Sequence, residues 1–204
     1  MIRLDKHDGF WRVTIARPEK ANSLTGAMLG DLADIAEAAG QEQVQALVLT
    51  GEGKVFSAGA DLDEARAGLA TDPVWERLSG TIANLPCLTV ASLNGTVAGG
   101  AFGMVLACDI RIAVPTAKFF YPVMKLGFLP QPSDPVRMAA LIGPARAKMI
   151  LMAGAKIGAE EAQDWGLVDR IVAPEVLDAS VTDLTVDASA AHPDHVAGIK
   201  RLFG

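Results

Sequence analysis

Two short turns built from the smallest residues constrain this chain most: Phe56-Ser57-Ala58-Gly59-Ala60-Asp61 and Val97-Ala98-Gly99-Gly100-Ala101. Each follows an apolar, strand-like run, and each is bare enough for a ligand or a second backbone to approach its peptide groups. Turns of this kind can aim two peptide N–H groups at one oxygen, which makes an oxyanion hole. If Gly100 opens a helix, its unsatisfied N–H and the helix dipole face that same oxygen. The plainer alternative is that Gly59, Gly99 and Gly100 only permit tight turns.

The flanks of these turns alternate between strand and helix signals. Residues 10–16 alternate apolar and polar side chains, as a half-buried strand does, whereas 44–50 is almost uniformly apolar and suits a strand covered on both faces. Between them Met28, Leu29, Leu32, Ile35, Ala36 and Ala39 recur at helical spacing, with Thr25 placed to cap the start and Gly40 the end. A second pass runs from a strand at 88–93 through the Gly99-Gly100 turn into a helix near 101–107. It returns through strands at 110–114 and 118–121 joined by a Pro115-Thr116 turn. Helical patterns follow at 144–153 and 159–165, then a short strand at 169–172. The alternation argues an α/β fold in one domain.

Composition narrows the function classes. With 18 basic and 24 acidic side chains the net charge is -6, which argues against a nucleic-acid groove or an anionic membrane surface as partner. The start lacks the apolar run of a secretory signal and no stretch approaches a membrane span, so a cytoplasmic protein is expected. Cys87 and Cys108 stand without CxxC or metal spacing and read as buried, reduced thiols. His7, His192 and His195 lie far in sequence from both turns, so neither a metal site nor a His-based triad is expected, even with Ser57 in the first turn.

Taken with Arg17-Pro18-Glu19-Lys20-Ala21-Asn22-Ser23-Leu24, Cys108-Asp109-Ile110-Arg111-Ile112-Ala113 and Ala159-Glu160-Glu161-Ala162-Gln163-Asp164-Trp165-Gly166-Leu167-Val168, the two turns resemble those of the crotonase (enoyl-CoA hydratase/isomerase) superfamily. The resemblance implies a β-β-α superhelix with a core domain over 1–172 and a shortened helical extension over 173–204. The acyl pocket is then either more open or completed by a partner subunit, and the expected assembly is a homotrimer or a dimer of trimers. It implies an acyl-CoA ligand, with coenzyme A entering as part of the thioester substrate and no permanently bound cofactor. By the same resemblance the N–H groups of Ala60 and Gly100 form the oxyanion hole, while Lys20, Ala21, Ala58, Ala60, Asp61, Leu62, Gly99 and Gly100 meet the substrate. Asp63 stands where many hydratases carry a basic residue near the CoA phosphates, so Lys20, Lys54 or Arg66 has to compensate.

Hydrating an enoyl thioester takes a base for water and an acid for the α-carbon, work that two carboxylates usually share. The resemblance places Gly103 and Val123 at the two glutamate positions, and neither moves a proton. Gln131 can orient a water but is no base at neutral pH. Asp134, followed by Pro135 and an apolar helical run, reads first as a helix N-cap and second as an acid/base. Tyr121, the single tyrosine, reads first as a core or interface residue and second as a proton donor. Weak or absent hydration of a crotonyl thioester is expected. Three functions stay open: enolate chemistry with an unusual acid/base, an acyl-CoA binder without proton transfer, and another thioester reaction such as decarboxylation.

Overall fold

The computed structural model describes residues 1–203. Strand β1 (Ile2–His7) turns at Asp8-Gly9 into β2 (Phe10–Ile15), and the two pair antiparallel. After a short 3-10 turn at Pro18–Lys20 come α1 (Gly26–Gln41), β3 (Ala46–Gly51) and β4 (Val55–Ser57). The Thr25 hydroxyl accepts from the Met28 N–H and starts α1 as expected, but the helix runs past Gly40 and closes at Glu42. The next elements are α2 (Leu62–Arg66), α3 (Val74–Ala83), β5 (Leu88–Leu93), β6 (Thr96–Ala98), α4 (Phe102–Ala107), β7 (Ile110–Ala113) and β8 (Lys118–Phe120). The chain continues through α5 (Val123–Leu126), α6 (Asp134–Ile142), α7 (Pro144–Leu151), β9 (Ile157–Gly158), α8 (Ala159–Trp165), β10 (Arg170–Ile171), α9 (Leu177–Ala190) and α10 (Pro193–Lys200).

The strands form two sheets, ordered β1-β2-β3-β5-β7-β10 and β4-β6-β8-β9. Three times in succession one strand enters the larger sheet, the next enters the smaller one, and helix follows: β3 and β4, β5 and β6, β7 and β8. That is the β-β-α superhelix, with parallel neighbours except at β1-β2 and β8-β9. The sequence reading ran the second pass as one strand and its turn. In the structure Leu88–Leu93 and Thr96–Ala98 are separate strands of different sheets, because the chain bends at Asn94-Gly95. The central strands are apolar on both faces because helices cover both, α9 packing across β3, β5 and β7. Lys200 at the end of α10 donates to the Cys87 carbonyl and to Asp109, each at 2.8 Å.

Phe56, Phe102 and Phe119, all fully buried, come from β4, α4 and β8 and lie in the same core behind the two turns. Cys87 and Cys108 are buried free thiols, and burial pushes them up to about 11 and about 12. Among the described residues no helix is long and apolar enough to cross a membrane.

Asn22 ties the first loop to the site. It is fully buried at φ 54°, a left-handed conformation that Asn tolerates better than most residues. Its amide donates to the carbonyls of Glu52 (2.9 Å) and Val55 (2.6 Å), and its oxygen accepts from the Arg17 N–H (2.9 Å). Asn22→Ala removes these three hydrogen bonds at about 1 kcal/mol each. We expect a loss of about 3 kcal/mol, which in a chain of this size lowers the thermal midpoint by roughly 6–12 °C. A calorimetric scan checks it.

Candidate active site

The two glycine turns meet. Gly59 has φ +89° and a Cβ placed on it would stand 2.7 Å from the Ala98 carbonyl oxygen and 3.4 Å from the Gly99 Cα. Only a bare backbone lets β4 and β6 end this close together. Gly99 itself has φ +57° and begins a 3-10 turn that runs into α4.

Ala60 and Gly100 come from these two turns and line one cavity of about 180 Å³. Ala60 forms a parallel bridge with Leu24, in which the Leu24 N–H donates to the Gly59 carbonyl and the Asp61 N–H donates to the Leu24 carbonyl, each at 2.8 Å. In such a pairing the N–H of the residue between points the other way, so the Ala60 N–H faces away from Leu24. Gly100 is the second residue of its helical turn and has no earlier carbonyl in that turn to receive its N–H.

Around this pair the other expected residues divide. Ala58, Leu62 and Gly99 line the cavity. The Ala58 N–H donates to the Ala21 carbonyl at 3.0 Å, which seats the Lys20–Ala21 segment against the first turn. Lys20, Lys54 and Arg66 are exposed, and Arg66 lies 3.4 Å from the equally exposed Asp63. Asp61 caps α2 and pairs with Arg17 at 2.8 Å, and that guanidinium bond holds its carboxyl below the usual range. The Ser57 hydroxyl donates to the Asn22 carbonyl (2.8 Å) and accepts from the Gly59 N–H (3.1 Å), so it braces the turn from inside the core.

Asp134 does not cap its helix. Ser133 holds the cap position of α6, and Asp134 turns inward, fully buried, where its Oδ2 accepts a 2.9 Å hydrogen bond from the Tyr121 hydroxyl. Gly103 on α4 leaves the space: a Cβ there would stand 3.1 Å from Asp134 Oδ1. A carboxyl on α6 therefore reaches the spot where the resemblance puts a side chain on α4. Among the described residues its Oδ1 has no hydrogen-bond partner, nor has the buried Ser79 hydroxyl beside it.

Burial pushes the Asp134 carboxyl up to about 7. The Tyr121 bond pulls it down, Glu76 pushes it up and Arg137 pulls it down. Glu76 is held by the Ser133 N–H at 3.1 Å and by the Ser133 hydroxyl. Burial also drives Tyr121 upward, so the phenol keeps its proton at neutral pH. Its ring stacks on Phe102 at 5.6 Å between centroids, and the residue lines the cavity with Asp134 behind it. Gln131 lines the wall too, its side-chain amide donating to the Ala70 carbonyl at 3.0 Å and its backbone N–H reaching the Tyr121 oxygen at 3.5 Å. Val123 is buried in the same wall. Trp75, which the sequence reading passed over, presses on Gly100 from α3.

A profile of the enoyl-CoA hydratase/isomerase family matches residues 5–203. The chain is 31% identical over 208 residues to 4-chlorobenzoyl coenzyme A dehalogenase-1 of Arthrobacter sp, an alignment covering 97% of this chain and 75% of that protein. It is 30% identical over 208 residues to carnitinyl-CoA dehydratase of Escherichia coli K12, covering 99% of this chain and 79% of the other. The crystal structure of an enoyl-CoA hydratase/isomerase from Pseudoalteromonas atlantica T6c superposes with a TM-score of 0.91 at 28% identity, over 99% of this chain and 82% of that one.

Proposed function

The chain belongs to the enoyl-CoA hydratase/isomerase family, and from that premise we propose that it binds an acyl-CoA thioester and moves a proton at the carbon next to the carbonyl. The carbonyl oxygen sits between the Ala60 and Gly100 N–H groups, and Tyr121, backed by Asp134, handles the proton. The observation that carries this is the Tyr121 hydroxyl in the cavity wall, bonded to a buried carboxyl whose proton affinity lies near neutrality. Support for the ligand class comes from relatives whose own names specify CoA thioesters.

The step balances as follows. The α C–H bond breaks, its electron pair moves toward the carbonyl and the enolate oxygen is held by the two N–H groups. The α-proton goes to the Tyr121 oxygen while the phenolic proton passes to Oδ2 of Asp134 in its ionised form. The reverse motion returns a proton to the α-carbon, or to the γ-carbon where a double bond is conjugated. One relay of this kind suits α-proton exchange and double-bond migration. Hydration needs a second group to activate water, and Gly103 and Val123 supply none. The same reading takes coenzyme A as part of the substrate and the assembly as a homotrimer or dimer of trimers in the cytoplasm.

The test is incubation with butyryl-CoA and 3-butenoyl-CoA in D2O, followed by mass spectrometry. Deuterium entering the acyl group, with crotonyl-CoA formed from 3-butenoyl-CoA and little 3-hydroxybutyryl-CoA, is the expected result. Rapid 3-hydroxybutyryl-CoA formation that survives Tyr121→Phe would overturn the proposal, and so would acyl-CoA binding without any exchange.

A further inference from the structure

We infer that Trp75 sets the depth of the acyl subsite and limits it to a compact, uncharged acyl group. The inference rests on the assignment of Ala60 and Gly100 as the thioester anchor. The six-membered ring of Trp75 presents Cε3, Cζ3 and Cη2 only 3.0–3.2 Å from the position of a Cβ on Gly100. The indole thus lies directly against the anchor, in the wall that an acyl chain meets on leaving the carbonyl.

It is also fixed there. Trp75 Nε1 donates to the Leu69 carbonyl at 2.8 Å, the residue is 4% exposed, and α3, which carries it, packs on both α1 and α4. An indole held at its nitrogen and wedged between helices is a wall rather than a flap. The space it leaves is about 180 Å³. Thioester carbonyl and a short chain fill that.

Charge gives the second half of the inference. Ala70, Trp75, Tyr121, Val123 and Gln131 line the space, and among the described residues no lining residue carries an ionised side chain. A carboxylate at the end of the acyl group enters a wall that offers it no cation, and an unpaired buried charge is strongly disfavoured. Dicarboxylic acyl groups are therefore rejected alongside long ones.

The experiment measures affinity for acetyl-, butyryl-, hexanoyl-, decanoyl-, palmitoyl- and succinyl-CoA by titration calorimetry, for the wild type, Trp75→Leu and Trp75→Ala. Each methylene that fits should tighten binding about fourfold. Wild-type affinity is expected to climb to butyryl- or hexanoyl-CoA and fall beyond, with succinyl-CoA at least about tenfold weaker than butyryl-CoA. In either variant the maximum moves to longer chains.

Trp75→Leu keeps an apolar side chain in the core should the alanine fail to fold, and the wild-type profile tests the size limit itself without any variant. Equal affinity for butyryl- and palmitoyl-CoA, or a variant maximum that does not move, overturns the role of Trp75. No binding of any acyl-CoA instead overturns the thioester site beneath it, so the two failures are distinct.

Discussion

Asp134→Asn is expected to cut α-proton exchange about 10²- to 10⁴-fold, the range for losing a positioned acid/base, while making the fold more stable above neutral pH. The two effects share one cause. Burial holds the carboxyl protonated up to about 7 in the folded chain, against an ordinary value of 3.8. Between those values the folded state binds a proton that the unfolded state releases, so stability from this group is full below 3.8 and lost as pH rises through about 7. Above that, the folded protein carries a buried carboxylate whose Oδ1 has no partner among the described residues.

Asparagine can still accept from Tyr121 and never ionises. Its advantage over the wild type should therefore grow from pH 4 to pH 8 by at most about 4 kcal/mol, at about 1.4 kcal/mol per pH unit. Tyr121→Phe should lose activity comparably and behave oppositely in stability. Its hydroxyl lowers the Asp134 proton affinity, so removing it moves the pH of stability loss upward. Denaturant unfolding at several pH values, beside exchange rates, checks both. A stability difference between Asp134→Asn and the wild type that ignores pH would falsify the buried-carboxyl account.

What could be read in the sequence follows the range of the interactions involved. The two turns were legible because a close approach of two backbones is written locally, as glycine. Helices α1 and α8 were legible because burial on one face repeats every turn, and the Thr25 cap sits where local hydrogen bonding puts it. Strand β1 was passed over because only its first and third residues, Ile2 and Leu4, are apolar and it is mostly exposed, although the Asp8-Gly9 turn after it signals a hairpin.

Asp134 misled for a physical reason. An acid before Pro135 is a good cap by local rules, and Ser133, one place earlier, is as good. In the structure neither side chain caps: Ser133 stands at the cap position but gives its hydroxyl to Glu76, and Asp134 turns into room made by Gly103, 31 positions away along the chain and visible only once α4 packs on α6. Trp75 is a similar case. Its spacing with Leu78 and Ile82 announces a core face of α3, while its contact with Gly100 depends on how α3 meets α4.

Gly100→Pro is expected to lower exchange by a further independent route, about 10²- to 10³-fold, equivalent to a barrier of about 2.7–4 kcal/mol for one lost oxyanion donor. Proline removes the N–H and is tolerated in the first turn of a helix, where that N–H has no partner in any case. It also adds carbon that Trp75 meets at 3.0–3.2 Å, so some loss of activity could come from a displaced indole rather than from the donor. Gly100→Ala separates the two. It adds the same Cβ against the same ring but keeps the N–H, and overpacking of this size costs about 1–3 kcal/mol of stability. If the hole is real, both variants lose stability and only proline loses the larger share of turnover while still binding free coenzyme A. Equal activity in the two folded variants would place the enolate oxygen somewhere other than between Ala60 and Gly100.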